Sequence, residues 1–174
     1  MTWAQESPHA FVALYDRYFP AVYGYCLSQL GEPEAAEDAA SQTFLKALAA
    51  LPGYRETGRF RSWLFVIAHN AVQDVVRGRP RQESLAEAAN QLDPATGPEE
   101  QAIAAFDREW LDMAIARLPD HERQVLELRR VGLGGQEIAR VLGISHEAAK
   151  KRQLRAMDQI RSEIAAEREV CREA

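Results

Sequence analysis

Apolar residues recur along this chain at spacings of three and four and nowhere settle into alternation, which confines it to packed helices. Phe11, Leu14, Tyr15, Tyr18, Val22 and Tyr25 give a first amphipathic helix, which Gly31 and Pro33 end. Pro33 suits the first position of a second helix, with Glu34, Glu37 and Asp38 near its positive N-terminal end. Ala36, Ala39, Ala40, Phe44, Ala47, Leu48 and Leu51 form the apolar side of that helix. Pro52, Gly53 and Gly58 make a loop. A third helix is predicted over 61–77, with Leu64, Ile67, Ala68, Ala71 and Val75 as its buried stripe and Trp63 beside it. Gly78 and Pro80 stop it. Asn90, Asp93, Pro94, Gly97 and Pro98 then mark a linker, with at most one helical turn near Leu85. Helical patterning resumes near Ile103. Phe106, Trp110, Met113, Ile115 and Leu118 lead to Pro119, and Val125, Leu126 and Leu128 mark a further helix.

The sharpest local signal is the run Gln136-Glu-Ile-Ala-Arg-Val-Leu-Gly-Ile-Ser-His-Glu-Ala-Ala-Lys-Lys-Arg152. Ile138, Leu142 and Ile144 are apolar where two crossed helices must touch, and Ala139 is small where the second comes close. Gly143 falls at the tight turn, where a left-handed backbone is cheapest for glycine. Ser145 is a natural N-cap for the next helix. That helix carries Lys150, Lys151, Arg152 and Arg155, suited to a DNA groove and its phosphates. Gly134 and Gly135 give the preceding helix a weak start, and Ala148 and Ala149 are small for a recognition helix, which predicts loose packing there.

The formal net charge of −5 argues against a nucleic-acid partner only until its distribution is considered. Residues 51–81 carry +4 and residues 129–161 carry +5, separated by −8 over 82–128. Phosphate binding depends on local clustering of arginine and lysine, so two basic segments flank an acidic one in a way that suits DNA. The fold class expected is all-α. Two small helical domains, 1–79 and 103–174, are joined by a flexible acidic linker, 80–102, and the C-terminal domain contains the helix-turn-helix.

At this point the chain resembles the sigma-70 family of RNA polymerase sigma factors, in particular its small extracytoplasmic-function group. Three motifs carry the resemblance, in the family's order. Ala36-Glu-Asp-Ala-Ala-Ser-Gln-Thr-Phe-Leu-Lys-Ala47 resembles the polymerase-binding helix. Arg61-Ser-Trp-Leu-Phe-Val-Ile-Ala-His-Asn70, with Asp74 and Arg77, resembles the promoter-melting helix. Leu118-Pro-Asp-His-Glu-Arg-Gln-Val-Leu126 resembles the helix before the second DNA-binding motif. The match spans roughly residues 8–165, the linker only in character.

The resemblance implies a division of labour. The first domain is expected to bind core polymerase through Asp38, Ser41, Gln42 and Leu45. It is also expected to hold the −10 promoter element through Tyr54, Arg55, Arg59, Arg61, His69, Asn70 and Arg77. Tyr54 matches a position that covers a flipped base, Asn70 one that lines its pocket, and the arginines follow the strand backbone. The second domain is expected to read the −35 element through Ser145, His146, Glu147, Lys150, Lys151, Arg152 and Arg155. The expected partners are core RNA polymerase, promoter DNA and an anti-sigma factor. The protein is expected to be a cytoplasmic monomer when free, with no membrane insertion, no cofactor and no metal.

Each residue also has a plainer reading. Tyr54 also suits a loop plug, His69 a solvated surface site, Asn70 a backbone cap and Asp38 an ordinary helix-N-terminal acid. Trp63, Phe44, Tyr15 and Tyr18 read as packing residues, and Cys26 as a small buried apolar group. The two cysteines, Cys26 and Cys171, form no C-x-x-C pair, which predicts a reduced compartment and no zinc site. An enzyme is disfavoured: no glycine-rich phosphate loop or nucleophile elbow occurs, and His9, His69, His121 and His146 are scattered. The alternative function is a helix-turn-helix regulator acting without core polymerase, which leaves the first seventy residues unexplained.

Overall fold

The structure, a computed structural model, describes residues 8–55, 58–78 and 110–173. Among these there are helices and turns and no strand. Helix α1 is Pro8–Leu30, α2 is Pro33–Ala50, and a single 3-10 turn, Leu51–Gly53, leads to α3, Phe60–Gly78. A helical segment at 110–116 precedes α4, Asp120–Arg130, α5, Gly135–Val141, and α6, His146–Glu173. The expected linker over 80–102, its turn near Leu85 and the helical restart at Ile103 and Phe106 lie outside the described residues. No helix is long and apolar enough to cross a membrane, among the residues described.

The first three helices form a bundle in which each packs on the other two. Gly31, at φ 69°, breaks α1 from α2, and Pro33 opens α2 as expected. Helix α2 approaches its neighbours closely because its inner face is mostly alanine: Ala36, Ala39, Ala40 and Ala47 are buried, with Phe44 and Thr43. Thr43 meets the cost of burying a hydroxyl by donating from Oγ1 to the Ala39 carbonyl at 2.7 Å. Leu48 departs from expectation: it is 46% exposed and joins Leu45, at 66%, on the outer face. In α3 the buried set is Leu64, Phe65, Ala68, Ala71 and Val72, while Ile67 and Val75 are only half-buried. Helix α1 continues through Pro20, which removes one backbone donor from its middle. Burial of Leu14, Val22, Tyr25, Cys26 and Leu27 on either side holds it in place.

In the second half, Ala114, Ile115, Leu118, Leu126, Ala156 and Ile160 form a small core with Trp110 and Ile164 packed against it. Met113 was expected there, but it is 52% exposed and Ala114 takes its place, one residue round the helix. The helix-turn-helix folds as its residues predict. Gly143 has φ 64°, and the Ser145 side chain accepts from the Ala148 N–H at 3.1 Å. The glycine start of α5 is reinforced by Glu137, whose carboxylate accepts from the Gly134 N–H at 2.8 Å.

The two halves also meet. Helix α3 packs on α5, and α1 on α4. The larger core runs without a break from the first three helices to Val125, Leu128, Leu133, Ile138, Ala139, Val141 and Ala149. Two arginines clip the seam: Arg61 Nη1 donates to the Val131 carbonyl at 3.1 Å, and Arg140 Nη1 reaches Ser62 Oγ at 3.5 Å. Gly132, at φ 83°, lies beneath Arg61, and a Cβ there would come within 2.5 Å of Nη1.

Glu127 is buried along this seam, 7% exposed, among Arg130, Asp112, Arg123 and Tyr25. Arg130 pairs with it at 3.2 Å and with Asp112 at 2.7 Å. Burial pushes the Glu127 carboxyl above the usual carboxylate range; Asp112 adds to the rise, and Arg130 and Arg123 oppose it. A carboxyl whose folded pKa is raised favours the folded state while protonated. Its contribution is lost as pH climbs from the ordinary carboxylate range through the raised value. Glu127→Gln is therefore expected to raise stability to urea at pH 7, with the gain shrinking as pH falls into the carboxylate range. Equal or lower stability of the variant at pH 7 would mean that the Arg130 ion pair outweighs the burial cost.

Candidate nucleic-acid interface

Helix α3 turns one row of residues away from the bundle at three- and four-residue spacing: Arg59 just before it, then the half-buried Trp63 and Val66 and the exposed Asn70, with Ser62 buried beside them. Its inward residues hold the bundle core, so the stripe is fixed on a rigid support. Tyr54 leaves the 3-10 turn and packs on Trp63, ring centroids 4.8 Å apart, and edge-on to Phe60 at 5.6 Å. The result is an aromatic wall, half-buried at Tyr54 and Trp63. It borders a cleft of about 550 Å³ that Arg55, Arg59 and Ser62 also line.

Of the residues expected at the −10 element, Tyr54, Arg55 and Arg59 thus meet in one place. Asn70 is exposed further along the same face. Arg77, at the end of α3, is exposed and pairs with Asp74 at 2.8 Å; Asp74 also accepts from Lys46 at 3.2 Å. The Lys46 hydrogen bond holds the Asp74 carboxyl below its ordinary range, with the charges of Lys46 and Arg77 assisting. Arg61 points elsewhere, onto the Val131 carbonyl of the other half.

His69 lies off the stripe. Its Nδ1 is 2.9 Å from the hydroxyl of Tyr25, whose side chain is 1% exposed. One hydrogen bond joins the two groups, its direction set by the tautomer of the ring. Burial lowers the His69 pKa and keeps the ring neutral. His69 is therefore not a solvated surface residue.

Sequence reasoning put Trp63 in the core, yet it is half-buried and borders the cleft. Its place one step before the buried Leu64 is the signal that separates it from the stripe. Arg140 was not singled out and lines the same cleft from α5. No local pattern reveals that, because it arises only when the halves meet.

On α6, Glu147, Lys150, Lys151 and Arg155 are exposed and Arg152 is half-buried. His146 folds back over the start of α5, where a Cβ on Gly135 would come within 2.9 Å of its Nε2. Ala149 is buried against the core, beside a groove of about 290 Å³ open to solvent that Val125, Ile138, His146 and Lys150 also line. On α2, Asp38, Ser41, Gln42 and Leu45 are all exposed on one face, with Leu48 beside them. Cys26 is buried, with its thiol pushed up to about 12 by desolvation, so it carries no thiolate at neutral pH.

Two family models match the chain: Sigma-70 region 2 over residues 14–82 and Sigma-70, region 4 over residues 108–160. The chain is 36% identical over 155 residues to the ECF RNA polymerase sigma factor ShbA of Streptomyces griseus, covering 82% of this chain and 81% of that protein. It is 34% identical over 155 residues to the ECF RNA polymerase sigma factor SigD of Mycobacterium tuberculosis, covering 84% and 73% respectively. Its fold is similar to that of the sigma factor RpoE of Bartonella quintana, solved in complex with the anti-sigma factor NepR. That likeness has a TM-score of 0.71 at 20% identity and covers 87% of this chain and 94% of the other. The region 2 match accounts for the very residues that a regulator acting without polymerase leaves unexplained. With both conserved regions present in order and a relative matched over most of its length, the chain belongs to the ECF group of the sigma-70 family of RNA polymerase sigma factors.

Proposed function

We propose that this sigma factor divides promoter recognition between α3 and α6 and docks on core polymerase through the outer face of α2. The observation that carries the proposal is the aromatic wall of Tyr54 and Trp63 beside Arg55 and Arg59, set on the region matched by the family model. Melting a promoter requires a base taken out of the stack and held, with its backbone neutralised nearby. In this reading Tyr54 and Trp63 receive the base and Asn70 reads its edge. Arg55, Arg59, Arg61 and Arg77 follow the strand, and His69, held by the Tyr25 hydroxyl, is counted with them. Glu147 and Lys150, exposed near the capped start of α6, are read as the contacts to base edges of the −35 element. His146 is in the same first turn, and Lys151, Arg152 and Arg155 grip phosphates further along. The solved complex of RpoE with NepR supports control of this chain, too, by an anti-sigma factor.

Tyr54→Ala is the first test. Base–aromatic stacking is worth about 1–3 kcal/mol, so open-complex formation, read by permanganate footprinting with core polymerase, is expected to drop about tenfold or more. Binding to core polymerase is expected to stay the same. Melting at the normal rate would remove Tyr54 from the assignment.

The docking face is tested by the double substitution Asp38→Arg and Gln42→Arg. Both positions are exposed, so the helical circular dichroism is expected to hold while co-purification with core polymerase is lost. Retained co-purification would move the docking surface off α2.

On α6 the two groups of residues are expected to fail differently. Lys150→Ala is expected to relax base preference at the −35 element, by about 1–3 kcal/mol for a good base contact. Arg155→Ala is expected to weaken all sequences alike and lower the salt slope by about 1. Binding to matched and scrambled duplexes across a salt series distinguishes them, and the reverse assignment would show that α6 enters the groove in another orientation.

A further inference from the structure

The cleft beside Tyr54 is built by both halves of the chain. Tyr54, Arg55, Arg59 and Trp63 come from the first half, and Arg140 enters from α5, near enough to Ser62 to touch its hydroxyl at 3.5 Å. Three guanidinium groups therefore face one cleft, and no carboxylate of the described residues lines it. Like charges converging at a seam oppose the closure that brings them together, unless an anion bridges them. The cleft also offers the half-buried aromatic wall and about 550 Å³, which lies within the roughly 300–1,000 Å³ usual for small-ligand sites.

We propose that this composite cleft binds a free nucleotide carrying two or more phosphates, and that the bound nucleotide holds the two halves together. The base lies on the Tyr54–Trp63 wall. The phosphates bridge Arg55 and Arg59 to Arg140, because a guanidinium engages phosphate through a planar fork and a chain of phosphates offers each fork its own oxygens. A lone phosphate leaves the aromatic wall unused, and a nucleoside leaves the arginines unused. The site exists only while the halves are packed together, since Arg140 leaves with α5 when they part. A ligand that binds one arrangement alone shifts the population towards it. The nucleotide and a −10 single strand thus compete for Tyr54, and the proposal rests on the reading of Tyr54 as a base-binding residue.

The test uses the full chain at low salt. Titration calorimetry with ADP and GDP is compared with pyrophosphate and with adenosine. Diphosphates are expected to bind at least tenfold more tightly than either fragment. Arg140→Ala is expected to weaken the diphosphates at least tenfold, with Arg140→Lys intermediate. Arg140 lies outside the proposed strand-reading set, so neither variant is expected to bind a labelled single-stranded −10 oligonucleotide more weakly than the wild type. Diphosphate is expected to displace that oligonucleotide from the wild type and far less from Arg140→Ala. Wild-type diphosphate affinity in Arg140→Ala would overturn the composite site. Equal binding of pyrophosphate and diphosphates would overturn the nucleotide assignment, and so would absence of diphosphate binding at millimolar concentration. The reading of Tyr54 fails separately, if Tyr54→Ala binds the oligonucleotide as well as the wild type while Arg140→Ala loses the diphosphate.

Discussion

The cleft beside Tyr54 depends on how α3 is anchored in the bundle. Leu64, Phe65, Ala68 and Val72 are buried in the bundle, and their burial fixes the rotation of the helix about its axis. That rotation decides what lies outward: Trp63, Val66 and Asn70 in a row, with Arg59 leading in. A shift of one residue in the buried set would turn the stripe by about 100° and scatter it. The alanine face of α2 contributes by letting the helices approach closely, so the support beneath the stripe is dense. Tyr54 then needs no scaffold of its own, because it rests against Phe60 and Trp63, which α3 already holds.

Much of this was legible because helices leave a periodic record. The breaks at Gly31 and Pro33, the loop at Pro52 and Gly53, the turn at Gly143 and the cap at Ser145 are each local chemistry, and each is found where its residues place it. Residues at the edge of a stripe were less legible. Leu48, Met113 and Trp63 are apolar residues within a step of a buried position, and periodicity alone does not say which side of the boundary each takes. His69 reads from the sequence as a −10 contact or a solvated surface site, yet its environment is set by Tyr25, 44 positions away. The seam left no periodic record at all. Arg61, Arg140, Gly132 and Glu127 look like ordinary surface or turn residues until two helices far apart in sequence come together.

That seam also explains why a charged residue is tolerated in an otherwise apolar contact. Burial raises the Glu127 carboxyl against the opposing charge of Arg130, which disfavours its ionised form at the seam. The clips across the seam are modest: a hydrogen bond from Arg61 to a backbone carbonyl is worth about 1 kcal/mol net, and the contact of Arg140 with Ser62 is longer. A contact made of apolar burial, two weak clips and one unfavourable carboxylate can hold in the free protein and still be reversible.

Reversibility matters because the two proposed DNA faces are not equally accessible in this arrangement. The exposed residues of α6, Glu147, Lys150, Lys151 and Arg155, face solvent. The α3 stripe, by contrast, has α5 against it: Arg61 is engaged with Val131, and Arg140 forms part of the cleft wall. A strand following the arginines of α3 has to displace those contacts, whereas a duplex meeting the start of α6 does not. Arg61, one of the guanidinium groups assigned to the strand, therefore serves in the strand's absence to clip the two halves together. In the proposed reading, separation of the halves is a step that the −10 element, core polymerase or both drive, and its cost sets how readily the free chain engages single-stranded DNA.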